Sequence, residues 1–300
     1  MKNVIAYYYN LYSYDIHQQQ DIYRFSIGNA QYVLSPCEIT EIKKVYELSK
    51  TLIQNGIYVH QIVPTLYNSI YISFNNKNYV LIQYYGNLNK KIQLSDITNF
   101  NNSTTNINFE GIVQPNWGML WSNKIDYFEY QVSQFGKRYP KIRESISYYI
   151  GLSETGISLY MNSKIFEDKS LTVCHKRIGK NSTLYDLYNP LNLVIDSKVR
   201  DAAEYFKNLF LVKENIFEEI VEYFQQEYLS LHDCFAFFVR MFYPSFYFDI
   251  YEQIIDNKVE EVKLQQIIEK TEEYEKLLKS LYFYLSNYID MPDIEWLKKV

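Results

Sequence analysis

No stretch of roughly 18 consecutive apolar residues, the length a membrane-spanning helix needs, occurs in this sequence. The first residues, Met1 to Tyr9, are too few and too polar for a secretory leader. Together these absences predict a chain made and kept in a cytoplasm, without membrane insertion. Cysteine is scarce as well: Cys37, Cys174 and Cys234 are odd in number, widely scattered and without Cys-x-x-Cys spacing. Neither a disulfide framework nor a zinc site is expected, and each thiol reads as a small buried hydrophobe. Excess positive charge is also missing. Thirty Lys and Arg against 35 Asp and Glu give a net charge of −5, so a nucleic-acid partner has no electrostatic support.

What is present is an ordinary globular balance, 47% apolar and 22% charged over 300 residues, which is enough chain for two lobes with a core each. Tyrosine is the outlier, with 32 residues beside 18 Phe and 9 Gly. Two readings stand. Tyr, Asn, Ile and Lys all have AT-rich codons, and many of the rings fall at positions where they would pack and the hydroxyl would find a partner. Alternatively, exposed phenols serve adhesion or cross-linking in a supramolecular layer.

Patterning predicts a small antiparallel sheet with one helix, followed by a helical region. Tyr23–Ile27 and Gln31–Leu34 read as strands joined at Gly28-Asn29. Glu38–Gln54 reads as a helix closed by Asn55-Gly56. Val59–Val63, Ile70–Phe74 and Tyr79–Tyr85 read as further strands, with Asn75 to Asn78 as a hairpin turn. Residues 87–116 read as a linker containing an exposed polar loop near Asn99 to Asn108. Beyond Trp117 helices are expected over 121–135, 141–161, 200–212, 215–227, 232–241 and 259–289. The domains are thus 1–86, an N-lobe; 87–116, a linker; and 117–300, a helical C-lobe. This is an α+β organisation of protein-kinase-like type.

Leu171-Thr-Val-Cys-His-Lys-Arg-Ile178 and Leu193-Val-Ile-Asp196 have the outline of a phosphotransferase catalytic loop and a metal-binding strand end. Such chemistry needs a strand lysine on the phosphates, a helix glutamate that orients it, a loop aspartate facing the acceptor hydroxyl, a metal-binding asparagine and a second metal-binding aspartate. The lysine slot after Tyr32-Val33-Leu34 holds Ser35, followed by Pro36. Glu41 and Glu47 are the helix candidates, each expected to be a plain surface residue without its lysine. In His175-Lys176-Arg177 the position that needs a carboxylate holds a guanidinium, which cannot accept a proton. The asparagine position holds Ser182, with Asn181 one residue early. Only the metal aspartate survives, as Asp196. Arg177 is expected to pair with Asp196 and hold the loop shut. An active site rearranged around these losses would need another base, Glu154 or Asp201, although Asp201 reads more simply as an anchor for the following helix.

Tyr32-Val-Leu34, Leu52-Ile-Gln-Asn-Gly-Ile57 and Asn78-Tyr-Val-Leu-Ile-Gln-Tyr-Tyr-Gly86 resemble the N-lobe and hinge of aminoglycoside-phosphotransferase-like kinases. Trp117-Gly-Met-Leu-Trp121, Lys124-Ile-Asp-Tyr-Phe-Glu129, Tyr148-Tyr-Ile-Gly-Leu-Ser-Glu154 and Val194-Ile-Asp196 with Arg200-Asp-Ala-Ala-Glu-Tyr205 resemble one branch of that superfamily. That branch is the endospore coat proteins of CotS/YutH type from Firmicutes. The resemblance implies a two-lobed kinase-like fold, a place in the spore coat assembled within the mother cell, and other coat proteins as partners. With Ser35, Arg177 and Ser182 in the three altered positions, no catalysis is expected from His175, Lys176 and Arg177, and no required cofactor. Were Mg-ATP held as a structural ligand, Asp196 would take the metal and the hinge residues Gln83 and Tyr84 the nucleotide.

Overall fold

The structure, a computed structural model, describes residues 1–105, 107, 116–162, 171–179, 181–213 and 215–298. The chain forms two units, Met1–Ile112 with Asn181–Val194 and Val113–Lys180 with Ile195–Val300.

In the first unit, helix α1 (Lys2–Tyr9) precedes strands β1 (His17–Gln19), β2 (Ile22–Ile27) and β3 (Ala30–Pro36). Helix α2 (Ile39–Gln54) leads to β4 (Gln61–Val63), β5 (Ile72–Phe74) and β6 (Lys77–Tyr85), and helix α3 covers Leu94–Thr104. The strands form one antiparallel sheet in the order β1-β2-β3-β6-β4, with β5 also on β6. Ile27 faces Ala30 across Gly28-Asn29, and Phe74 faces Lys77 across Asn75-Asn76. Both asparagines have positive φ, 49° and 58°, as a tight two-residue hairpin requires. The turn is therefore two residues, and Lys77 and Asn78 already belong to β6.

Tyr79, Leu81 and the β3 residues Tyr32 and Leu34 pack with Ile5 and Tyr9 of α1. Val80 and Ile82 point the other way and pack with Ile42 and Val45 of α2. Strand side chains alternate between faces, so a strand covered on both sides reads as an unbroken apolar run. Helix α2 ends where Gly56, at φ 76°, lets its own N–H reach Ile53 O and the Ile57 N–H reach Leu52 O, at 3.0 Å each. That pair of bonds satisfies carbonyls which the last turn would leave open.

Two expectations are corrected here. Helix α1 stands where no element was expected. The polar segment expected as an exposed loop contains α3, started by a reciprocal Gln93–Asp96 cap. Its Ile97, Phe100 and Asn101 are buried. Ile97 and Phe100 give it an apolar face that holds a helix even though Asn, Ser and Thr lower its intrinsic propensity. Residues 108–115 of the expected loop lie outside the described residues.

The second unit begins with α4 (Trp117–Phe135), α5 (Pro140–Asn162) and strand β7 (Leu171–His175). The chain then returns to the first unit over Asn181–Val194, where the short helix α6 (Leu184–Tyr188) lies, and enters β8 (Leu193–Ser197), which pairs with β7. Helices α7 (Arg200–Phe210), α8 (Phe217–Gln226), α9 (Leu231–Met241), α10 (Ser245–Ile255), α11 (Gln265–Ile268), α12 (Thr271–Ser286) and α13 (Glu295–Lys298) complete it. Helix α9 is buried from Asp233 to Met241 and packs against α5, α7 and α12, which is why Cys234 to Val239 is an unbroken apolar run. The expected long helix over 259–289 is instead a 3-10 turn at Glu261–Leu264 followed by α11 and α12, and α10 was not expected.

The tyrosines divide between buried and exposed positions. Tyr274 donates to Met241 O at 2.5 Å, Tyr247 shares a 2.8 Å bond with Ser145, and Tyr149 stacks on Tyr247 at 3.8 Å between ring centroids. Tyr7, Tyr14, Tyr67 and Tyr228 are exposed. All three thiols are free, and Cys174 and Cys234 are buried. Among the described residues no helix is long and apolar enough to cross a membrane.

Candidate functional site

Strands β7 and β8 bring the two diagnostic segments together in the second unit. His175 ends β7, fully buried, and donates twice to Asp201: its backbone N–H at 3.0 Å and its ring Nδ1–H at 2.7 Å. Asp201 lies in the first turn of α7, where the helix dipole also favours a carboxylate. It is thus an anchor tying α7 to the strand end. Glu154 stands on an exposed face of α5.

Asp196 is 0% exposed. Its carboxylate accepts from the Trp117 indole Nε1 at 3.0 and 2.9 Å, from the Ser197 backbone N–H at 2.7 Å, and from Arg200 Nη1. Arg200 also donates Nε to His175 O at 2.9 Å and Nη2 to Lys176 O at 3.2 Å. One guanidinium therefore staples the loop backbone to the surviving aspartate. Burial alone would lower the Arg200 pKa, but Asp196 beside it outweighs burial and holds it above its usual value. The geometry does not fit a divalent cation, since both oxygens that would ligate it already face N–H donors, one of them a fixed positive charge. Among the described residues no group of three or more His, Cys, Asp and Glu is arranged to hold a metal.

The expected Arg177–Asp196 pair is not formed. Arg177 turns outward onto α10, donating to Asp249 and, at 3.4 Å, to Glu252, with 61% of its side chain exposed. The reason is reach: Arg200, four residues after Asp196 at the start of α7, occupies its open side. Arg177→Ala is accordingly expected to change folding stability by about 0–1 kcal/mol, the usual worth of a solvent-screened pair, as read by urea unfolding. Lys176 is exposed, and its backbone carbonyl is the group that takes part. Sequence reasoning missed Trp117 and Arg200. The four-residue spacing from Asp196 to Arg200 was a legible signal, whereas nothing local links Trp117 to a residue 79 positions away.

In the first unit, Ser35 occupies the lysine slot on β3 opposite Val80, and Glu41 and Glu47 are exposed on α2. Asn181 is exposed, and the backbone carbonyl of Ser182 accepts from Ile92 N–H at 3.2 Å. At the expected hinge, Gln83 donates to the Tyr85 hydroxyl at 2.7 Å. The Tyr84 ring lies 5.0 Å from His60 and 5.1 Å from Tyr185 of α6. His60 is fully buried, donates Nε2–H to Tyr185 O at 3.0 Å, and has its ring 4.9 Å from that of Tyr185. Burial pushes its pKa down to about 4. Tyr185 thus covers the hinge aromatic with the chain's own side chain.

The strand-and-helix order, the β7–β8 placement of Asp196 and the hinge at the end of β6 define a kinase-like fold of the aminoglycoside phosphotransferase type. An aminoglycoside phosphotransferase from Alicyclobacillus acidocaldarius superposes with a TM-score of 0.65 at 11% identity, covering 96% of this chain and 97% of that one. The amicoumacin kinase hAmiN, solved with AMP-PNP, Ca2+ and Ami, gives 0.59 at 10% identity, covering 92% and 91%. Residues 2–281 match the family model described as Spore coat putative kinase YutH, and the chain belongs to that family. The endospore coat-associated protein YutH of Bacillus subtilis (strain 168) is 24% identical over 337 residues, covering all of this chain and 98% of that protein.

Proposed function

We propose that this protein is a non-catalytic, kinase-like structural component of the bacterial spore coat, synthesised in the mother-cell cytoplasm and held in place by other coat proteins. The observation that carries the reading is the commitment of Asp196 to Trp117, Arg200 and Ser197. A phosphotransferase keeps this carboxylate for the metal that bridges the phosphates. Here the same oxygens serve as internal glue. Ser35 for the phosphate lysine, Arg177 for the loop aspartate and Ser182 for the metal asparagine remove three further parts. Each such group is typically worth about two or more powers of ten in rate. Tyr185 over Tyr84 adds that the hinge face is met by a side chain. Coat membership is supported by the family and by the Bacillus subtilis relative, an endospore coat-associated protein.

Thermal unfolding with and without millimolar Mg-ATP tests the reading, with no change expected. A ligand at a hundredfold excess over its dissociation constant would stabilise by about 2.7 kcal/mol. A shift of that size without turnover would replace the reading by a nucleotide-binding pseudokinase. Transfer of the terminal phosphate to any acceptor would end it.

A further inference from the structure

Three phenol rings meet on the surface of the first unit. Tyr7 and Tyr8 come from α1, and Tyr67 comes from the loop between β4 and β5. Tyr7 and Tyr67 are each 61% exposed, and their ring centroids lie 5.8 Å apart with the planes tilted by 41°. Tyr8 stands edge-on to both, 4.9 Å from Tyr7 and 6.3 Å from Tyr67. Ring contacts of this kind are ordinary in aromatic packing. What sets the pair apart is where its oxygens lie. A hydrogen bond to Tyr7 is the leading cause that holds the Tyr67 hydroxyl above its usual pKa, so the two oxygens face each other in the open.

Both rings are carried on fixed backbone. Tyr7 lies within α1, whose Ile5 and Tyr9 pack on the sheet. Tyr67 lies in a turn organised by the buried Thr65, whose hydroxyl accepts from the Ser69 N–H at 3.1 Å and the Tyr67 N–H at 3.3 Å. The Leu66 N–H donates to Tyr8 O at 2.8 Å and ties that turn to the helix. Two phenols whose hydroxyls meet have their ortho carbons side by side, which is also the arrangement of two tyrosines joined carbon to carbon. Holding the partners this way makes their coupling a unimolecular step. The remaining approach is a side-chain rotation, which exposed residues make within nanoseconds.

We propose that Tyr7 and Tyr67 are an oxidative coupling site, joined within one chain by a peroxide-driven one-electron oxidant. Each phenol gives up one electron and one proton. The two phenoxyl radicals bond ortho carbon to ortho carbon, and the hydrogens on those carbons move to the oxygens, restoring both phenols. The chain loses two hydrogens in all, and one hydrogen peroxide becomes two waters. The new bond pins α1 to the turn between β4 and β5. The site uses none of the groups around Asp196, so it stands or falls separately from the non-catalytic reading.

Treating the full chain with a haem peroxidase and limiting hydrogen peroxide tests the proposal. The monomer is expected to gain dityrosine fluorescence, to weigh two hydrogens less, and to yield a linked pair of peptides containing Tyr7 and Tyr67. Its yield per chain should not change on dilution, whereas coupling between the exposed Tyr14 or Tyr228 of separate molecules should fall. Tyr7→Phe and Tyr67→Phe, which keep the surface rings, are each expected to lower the monomer yield by about tenfold, the loss of a held partner. Tyr14→Phe is expected to leave it unchanged. Absence of the linked peptides from oxidised monomer, a monomer yield that falls on dilution, or undiminished monomer fluorescence in Tyr7→Phe or Tyr67→Phe would overturn the proposal.

Discussion

Asp196→Ala is expected to cost about 3–5 kcal/mol of folding stability, the toll of breaking a buried ion pair from one side. The change takes the acceptor from Arg200 Nη1, the Trp117 indole N–H and the Ser197 N–H at a position with no access to water. A carboxylate held in reserve for a metal behaves differently, because removing it orphans no internal donor. Urea unfolding of the variant and its parent reads the difference directly. Replacing both members, as Asp196→Leu with Arg200→Met, is expected to recover only the part due to the unpaired charge, since the Trp117 and Ser197 N–H groups stay without an acceptor. A loss under about 1 kcal/mol in the single variant would mean the carboxylate is not committed, and the central support for a non-catalytic role would go with it.

Glu204→Gln is expected to cost a similar amount at neutral pH, and its cost should fade in acid. Glu204 accepts from Lys207 at 2.8 Å, Arg240 at 3.0 Å and Ser245 at 2.5 Å, joining α7 to α9 and to the start of α10. Burial raises its pKa, but Lys207 and Arg240 outweigh burial and hold it down to about 2 from the ordinary 4.5. Because the folded value is the lower one, the stabilisation is fully present above about pH 4.5. It is lost as pH falls toward 2, where the folded carboxyl also takes a proton. That window corresponds to roughly 3 kcal/mol. Stability measured by urea at pH 7 and at pH 3 should show the two proteins converging in acid, and a pH-independent gap would contradict the assignment.

Much of the architecture was legible in the residues. The hairpin turns at Gly28-Asn29 and Asn75-Asn76, the amphipathic α2 with its Asn55-Gly56 ending, and the alternating strands around Tyr32 and Tyr79 all carry local signals that tertiary contacts reinforce. The family resemblance and the kinase-like fold were legible too. Elements that escaped detection did so for physical reasons. Helix α1 is apolar on one short face and acquires meaning only when Ile5 and Tyr9 meet the sheet. Helix α3 is written in residues that favour caps and turns. Over 259–289 the apolar stripe runs on although the backbone breaks before α11, because burial pattern and helix continuity are separate properties. At the site, the identity of Asp196 was readable but its partner was not. Choosing between Arg177 and Arg200 required knowing which guanidinium lies within reach, and Trp117 enters through a contact with no trace in local sequence.

The excursion of residues 181–194 into the first unit bears on how the protein is born. A ribosome that has finished residue 112 has delivered the sheet, α1, α2 and α3, yet the tyrosines that cover His60 and Tyr84 have not been made. Leu191, which packs beside Ile62 and Val80, arrives later still. The nascent N-terminal piece therefore waits with an aromatic face uncovered through some 70 further residues of synthesis, several seconds at ordinary elongation rates of about 5–20 residues per second. During that interval the emerging chain is open to association with neighbouring copies, and its first half acquires its finished surface only when the second half is already under way.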